Sequence, residues 1–394
     1  MIKKIKIYIT LAAVAFSSVS CLDKYPEDAI PEGDAIRTVE EANQAVIGIY
    51  AYMKNPNLYS GLLTLLPDLQ ADLAYAVEGY TNTYGNIWRW DILPTNTEVE
   101  AVYGTLNALI GKCNFLLERI AVLEQEVDDE DYEKLQQFKG EALFARALSY
   151  SDLIKMYCKA YDPATAADEL GVVLVSSYSN AGTLKRASLK DSYQFVLDDL
   201  AQSATCLKPD ENENDESYYD TLYFTIYAVN ALYARVYLNM QEWDKAIEYA
   251  SKVIDSRKFK LSSTTEMIDS ETSYYQYMWQ YDHSTETIWK VGFTTTSYGG
   301  SLGQIFFNYD FNSFKPDYVP AEWVLNLYAD TDLRATTFFQ FYRTGYEHGL
   351  QWPLLAKYFG NQEFYEQNIL HVTMPKVFRL SEQYLILSLI HISE

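Results

Sequence analysis

Basic residues are scarce in this chain: 31 lysines and arginines stand against 54 aspartates and glutamates, a formal net charge of −23. Nucleic acid and anionic lipid headgroups both need a basic face, so neither is a fitting partner, and a neutral or cationic ligand is favoured. Cysteine is scarce too. Beyond Cys21 only Cys113, Cys158 and Cys206 remain, each in or near an apolar helical pattern and none in a Cys-x-x-Cys pair. They read as small buried residues, not as a disulfide framework or a thiolate metal site. The four histidines, His283, His348, His371 and His391, share no metal-ligand spacing such as His-Glu-x-x-His. No Gly-x-Ser-x-Gly elbow or phosphate-binding glycine loop occurs either. The expectation is a protein without metal or cofactor.

What is plentiful is apolar and aromatic surface. Of 394 residues 48% are hydrophobic and 35 are tyrosine, more than one compact core usually holds. Residues 1–20 carry Lys3, Lys4 and Lys6, an apolar run from Ile7 to Phe16, then small residues before Cys21. A basic start and about ten apolar residues, too few to span a bilayer, make a secretory signal. Cys21 falls where a bacterial lipoprotein signal places its acylated cysteine, and several acyl chains together anchor stably where one does not. Residues 21–37 are acidic and proline-bearing and read as an extended tether.

The body of the chain spells one stretch twice. Ala142-Leu143-Phe144-Ala145-Arg146 returns as Ala231-Leu232-Tyr233-Ala234-Arg235. On a helix, alanines three apart form a narrow ridge on which a neighbouring backbone can approach closely. The second copy continues through Tyr237, Trp243, Ala246 and Ala250 across a polar break, a pattern that resembles the tetratricopeptide helical hairpin. The copies lie too far apart for one uninterrupted array, so other elements intervene.

Around these hairpins the periodicity predicts helices after a Thr38/Glu41 capping box, over about 98–123, 130–157, 190–207 and 223–255, and a short one over 321–329. A strand is expected near 287–293, and 375–386 forms the last recognisable element. Residues 55–91 read as irregular and aromatic-rich, and 209–220 as an acidic loop.

The order of these segments resembles the SusD/RagB family of outer-membrane nutrient-binding lipoproteins. The resemblance rests on Cys21 and its tether, on Gly111-Lys112-Cys113-Asn114-Phe115-Leu116-Leu117, and on Gly140 to Ala147 with Tyr150, Asp152, Leu153 and Tyr157. It continues through Ala231–Asp255, Glu286-Thr287-Ile288-Trp289, Leu327-Tyr328 with Asp332 and Arg334, and ends at Arg379-Leu380-Ser381-Glu382-Gln383-Tyr384-Leu385-Ile386. It implies a mostly α fold, in which tetratricopeptide-type hairpins (about 38–260) support a loop-rich ligand-binding part with minor β structure (about 261–375). A final helical part, 376–394, reads as incomplete beside the family pattern, as though the reading frame ended early, which would leave apolar surface uncovered. The resemblance also implies a lipid-anchored, cell-surface binding protein without catalysis, which captures glycans and hands them to a SusC-like TonB-dependent outer-membrane transporter.

Sugars present flat C–H faces rimmed by hydroxyls, so a platform for them needs exposed rings with amide, carboxylate or guanidinium groups at the edge. Tyr84, Asn86, Trp88, Arg89, Trp90 and Asp91 offer that combination, and a strand-like alternation would put both tryptophans on one face. Trp279 and Tyr281, in the aromatic stretch 274–281, complete the candidate set; packing inside the fold is the competing reading for all of these rings. Two rivals remain at this stage: a peptide-binding relative of the same family, and an exported helical glycoside hydrolase. The hydrolase would need two carboxylates flanking a bond, which no local motif singles out.

Overall fold

A computed structural model describes residues 35–78, 83–178, 184–207, 221–309, 312–346, 349 and 351–393. The expected signal, Cys21, most of the tether, Tyr80, the acidic loop 209–220 and His348 lie outside them, as does the side chain of His391. Helices of eight or more residues are numbered here together with the strands; shorter turns are named by residue.

Helix α1 (Val39–Tyr52) starts where the sequence places it. Thr38 accepts from the backbone N–H of Glu41 at 3.2 Å, while the Glu41 carboxylate accepts from Arg37 N. Helix α2 (Leu62–Gln70) forms within the stretch expected to be irregular, despite Pro67 inside it. A proline there removes one backbone bond at a cost of ~3 kcal/mol. Leu62, Leu63, Leu65, Leu66 and Leu69 are all buried, and that burial outweighs the cost. The three-residue strand β1 (Ala74–Ala76) follows, then the single helical turn Gly85–Trp88.

Helices α3 (Thr97–Leu123) and α4 (Asp129–Tyr157) form an antiparallel pair. The excursion after α4 is a two-stranded ribbon of β2 (Leu170–Val173) and β3 (Arg186–Ser188), which leads into α5 (Leu189–Cys206). Helices α6 (Ile226–Asn239) and α7 (Trp243–Asp255) make the next hairpin. The alanine ridges lie at the crossings: Ala142, Ala145, Ala231, Ala234, Ala246 and Ala250 are fully buried. At Gly140 the approach of α4 to α5 is so close that a Cβ would stand 2.8 Å from Cys206 Cβ and from Leu207 Cγ. Cys113 and Cys206 are buried and Cys158 is half-buried, all three with free thiols.

The arginine in each copy of the repeated stretch ties its helix to a neighbour. Arg146 makes a two-pronged contact with Asp199 on α5 at 2.8 and 2.6 Å, and donates to Asn114 on α3 at 2.7 Å. Arg235 does the same to Glu382 at 2.6 and 2.7 Å and reaches Val377 O.

The loop-rich part begins with α8 (Tyr274–Tyr281), which carries a capping box of Ser273 and Gln276. Strand β4 (Thr287–Lys290) lies within the expected stretch 287–293 and is fully buried. The short ribbons pair residues far apart: β1 with β5 (Tyr318–Pro320), and β4 with β8 (Lys376–Arg379); β6 (Phe339–Gln340) joins β7 (Leu354–Leu355) nearer by. The helix expected over 321–329 is one turn, Glu322–Leu325. Helix α9 (Leu380–Ser393) packs on α7 and α6, with Leu385 and Leu389 facing outward.

Two cores result. The large one joins the helical frame to β4 and β8. A smaller one gathers Leu65, Leu69, Ala74, Phe306, Phe307, Tyr318 and Leu354 under the loops. His371 is buried there, its ring stacked 5.1 Å from Phe307 and its Nδ1 2.9 Å from Phe359 O. Among the described residues, no helix is long and apolar enough to cross a membrane, and no three His, Cys, Asp or Glu side chains gather where they could hold a metal ion.

Candidate ligand-binding site

The β1–β5 ribbon is too short to be stable on its own; it is held by the rings around it. Three tryptophans donate their indole N–H to carbonyls on or next to it: Trp88 to Ala74 O at 2.8 Å, Trp352 to Pro320 O at 2.8 Å and Trp323 to Asp72 O at 3.0 Å. Each ring is thereby fixed at its polar edge while part of its apolar face stays uncovered. Trp88 and Trp352 are half-buried and Trp323 is exposed. Tyr75 projects outward from β1, and the Tyr318 hydroxyl donates to Thr83 O, pinning the segment that leads into Trp88.

The stretch 84–91 is not the alternating strand expected of it. Tyr84 enters a left-handed conformation (φ 58°), Gly85–Trp88 winds one helical turn, and Trp90 again has a positive φ of 60°. Trp88 closes the turn and Trp90 stands beyond it in left-handed backbone, so the two rings do not share a strand face and take different roles. Trp88 packs on the small core, 6.3 Å from Tyr318, whereas Trp90 is 63% exposed. The winding also closes a polar rim, because Asn86 Oδ1 accepts from Arg89 Nη2 at 2.9 Å and Asn86 O accepts from Asp91 N. Sequence reasoning missed Trp323 and Trp352. Trp323 reaches this place through the pairing of β1 with β5 and Trp352 through the packing of β7 on β5, neither of which leaves a local trace.

Trp279 and Tyr281 lie elsewhere. On α8 Tyr281 stacks on Tyr277 at 4.7 Å, and Trp279 lines a separate cleft of about 420 Å³. That cleft is bounded by α2 (Thr64, Asp68), α4 (Asp152, Lys155), Arg235 of α6, the turn at Lys357–Tyr358, β8 and Glu382. Helix α2 stands between the two places: Leu65 and Leu69 enter the small core, and Thr64 and Asp68 face the cleft.

The cleft wall is charged but largely self-neutralised. Lys376 pairs with buried Asp282 at 2.6 Å, and Arg379 with Glu286 at 3.0 Å. Burial opposes ionisation of Asp282, yet Lys376, the Met374 N–H and the Asn361 amide together hold its carboxyl below the usual range. Asp152 accepts from the Tyr59 hydroxyl at 2.5 Å and Asp68 from the Tyr358 hydroxyl at 3.2 Å; burial pushes both carboxyls above the usual range.

A family model described as starch-binding and associating with the outer membrane matches residues 22–238. A SusD-like protein of Formosa agariphila is 23% identical over 257 residues, which are 64% of this chain and 46% of that protein; the chain thus spans about half the length of that relative. Among solved structures, a SusD superfamily protein from Bacteroides thetaiotaomicron superposes with a TM-score of 0.73 at 21% identity, covering 90% of this chain and 76% of its own. Surface glycan-binding protein A from Bacteroides uniformis gives 0.68 at 15%, with the same coverage. At these identities the structural likeness speaks for the fold.

Proposed function

The chain belongs to the SusD-like family, and on that premise we propose that it is a cell-surface glycan-binding lipoprotein, acylated at Cys21, that delivers oligosaccharides to a SusC-like TonB-dependent transporter in the outer membrane. The observation that carries this reading is the group of tryptophans tied by their N–H edges to one short ribbon, with exposed Trp90 and the Asn86–Arg89 rim beside them. A ring whose orientation is fixed before binding loses little freedom when a sugar face stacks on it. Hydroxyls at the edge of that sugar then meet the amide of Asn86, the guanidinium of Arg89 and the carboxylate of Asp91. Binding and release require no covalent step, in keeping with a family of binding proteins.

The test is titration of the whole chain with a panel of neutral oligosaccharides and of peptides, repeated for Trp90→Ala. Saccharide binding that weakens in the variant supports the proposal. Binding of peptides alone, or release of new reducing ends, would replace it with the peptide-importing or hydrolytic reading. Metabolic labelling with a radioactive fatty acid, with and without Cys21→Ala, tests the anchor; recovery of a barrel protein with the chain from detergent extracts tests the transporter.

A further inference from the structure

Among the described residues two cations lining the cleft, Lys155 and Lys357, make no ion pair, and of these Lys357 is the one enclosed by rings. Lys357, on the turn Ala356–Tyr358, lines the cavity, and among the described residues its ammonium makes no hydrogen bond or ion pair. It is instead ringed by aromatic faces, 5.0 Å from Tyr358, 5.2 Å from Trp279 and 5.5 Å from Phe338. Two further cations crowd the same indole, Lys376 at 5.0 Å and Arg379 at 5.2 Å. Those two are neutralised by Asp282 and Glu286. Burial pulls the Lys357 ammonium below the usual lysine range, and the nearby Arg379 and Lys376 pull the same way; the attraction of Asp68 acts without contact.

The carboxylates lining the cleft are already engaged. Asp68 accepts from Tyr358, Asp152 from Tyr59, and Glu382 is held by both prongs of Arg235. Ring faces attract an ammonium but accept none of its N–H hydrogens in the way an oxygen does. Lys357 therefore presents three unused donors to a space of about 420 Å³, within the ~300–1,000 Å³ typical of small-ligand pockets.

We propose that this cleft is a second binding site, specific for a sugar bearing a single negative charge, whose acidic group sits on Lys357 while its hydroxyls meet Asp68, Thr64 and Thr373. The carboxylate of Asp68 disfavours a multiply charged anion such as free phosphate, and a hydroxyl-bearing ligand suits the mixed wall better than a bare ion. A uronic-acid carboxylate and a sulfate monoester share this chemistry. The acidity of the whole chain favours neutral or cationic ligands; the cleft is a local exception, because Lys155, Arg235, Lys357, Lys376 and Arg379 line it against the three carboxylates of Asp68, Asp152 and Glu382. The proposal takes its sugar from the glycan reading above and stands on different residues.

The experiment is calorimetric titration of the full chain with four trisaccharides: a uronic acid, its methyl ester, the corresponding neutral sugar, and the neutral sugar carrying one sulfate. The acid should bind about tenfold tighter than its ester, the order expected of one charge-assisted contact, and added salt should narrow the gap. A matching preference for the sulfated sugar over the neutral one extends the site to sulfate esters; its absence assigns the site to carboxylates. Lys357→Met should abolish the preference and leave neutral binding intact, and Trp90→Ala should do the reverse. The ester comparison uses the unmodified protein, so it decides the matter even where the Lys357 variant fails to fold. Equal binding of acid and ester together with equal binding of sulfated and neutral sugar overturns the proposal and leaves the glycan reading standing; no binding of any sugar overturns both.

Discussion

Arg235 grips Glu382 through two parallel N–H···O contacts of 2.6 and 2.7 Å, joining residues 147 apart in sequence and fastening α9 to the second alanine-ridge hairpin. Arg146 makes the equivalent contact with Asp199 at 2.8 and 2.6 Å. The repeated pentapeptide therefore repeats an ion-pair anchor as well as a packing surface.

The two anchors differ in burial: the Arg146–Asp199 side chains are 8% and 3% exposed, the Arg235–Glu382 side chains 20% and 29%. Removing one partner of a buried pair strands the other charge, at ~3–5 kcal/mol, and solvent eases that penalty at the second site. Arg146→Met should therefore destabilise by about 4 kcal/mol and Arg235→Met by about 2 kcal/mol. Urea unfolding gives both values, and a larger loss at Arg235 would refute the ordering.

Two helical glycines should respond in opposite directions. Gly140→Ala drives a methyl group to 2.8 Å from Cys206 Cβ and Leu207 Cγ, and overpacking of that kind costs ~1–3 kcal/mol. Gly111→Ala on α3 meets nothing within 4 Å and should stabilise by ~0.5–1 kcal/mol through helix propensity. Thermal unfolding of the pair reads the difference directly.

The two tryptophans of 84–91 should separate in function. Trp90 is 63% exposed, so under the proposed function Trp90→Ala should weaken saccharide binding at unchanged melting temperature. Trp88→Ala removes both a core ring and the donor to Ala74 O, and should lower stability by ~3 kcal/mol along with binding. Loss of stability in the Trp90 variant would mean that its ring is structural.

Acid should act in two phases. The folded-state values of Asp152 and Asp68 are raised by burial, so their ionised forms oppose folding at neutral pH, and that opposition is relieved as the pH falls through those raised values towards the ordinary carboxylate range near ~4. Asp282 is depressed, so its contribution is complete above the ordinary range and is lost as the pH falls through its lower folded value. Stability measured by denaturant should hold or rise from neutral pH to about 5 and fall below about 4. Asp152→Asn should flatten the first phase and leave the second; an unchanged profile would remove Asp152 from this account.

The helical frame was legible in the sequence because its signals are local. Ala142, Ala145, Ala231 and Ala234 announce close crossings by their spacing, and Thr38 with Glu41 announces a helix start; each is a property of residues a turn apart. The Leu62–Gln70 helix was hidden because Pro67 argues against it, and its five buried leucines have force only once the cores exist to receive them.

The amino-acid order by itself thus determined the helices, their packing ridges and the family pattern, since periodicity and capping act over a few residues. The tertiary structure alone decided where the rings go. Trp323 reaches the ribbon through Asp72, 251 positions away, and Trp88 through the strand that Tyr318 pairs beside, while Trp279 is drawn instead into a cleft of cations. Pairing across such separations leaves no trace in any short window of sequence; it is fixed by burial and backbone hydrogen bonding that exist only in the folded chain.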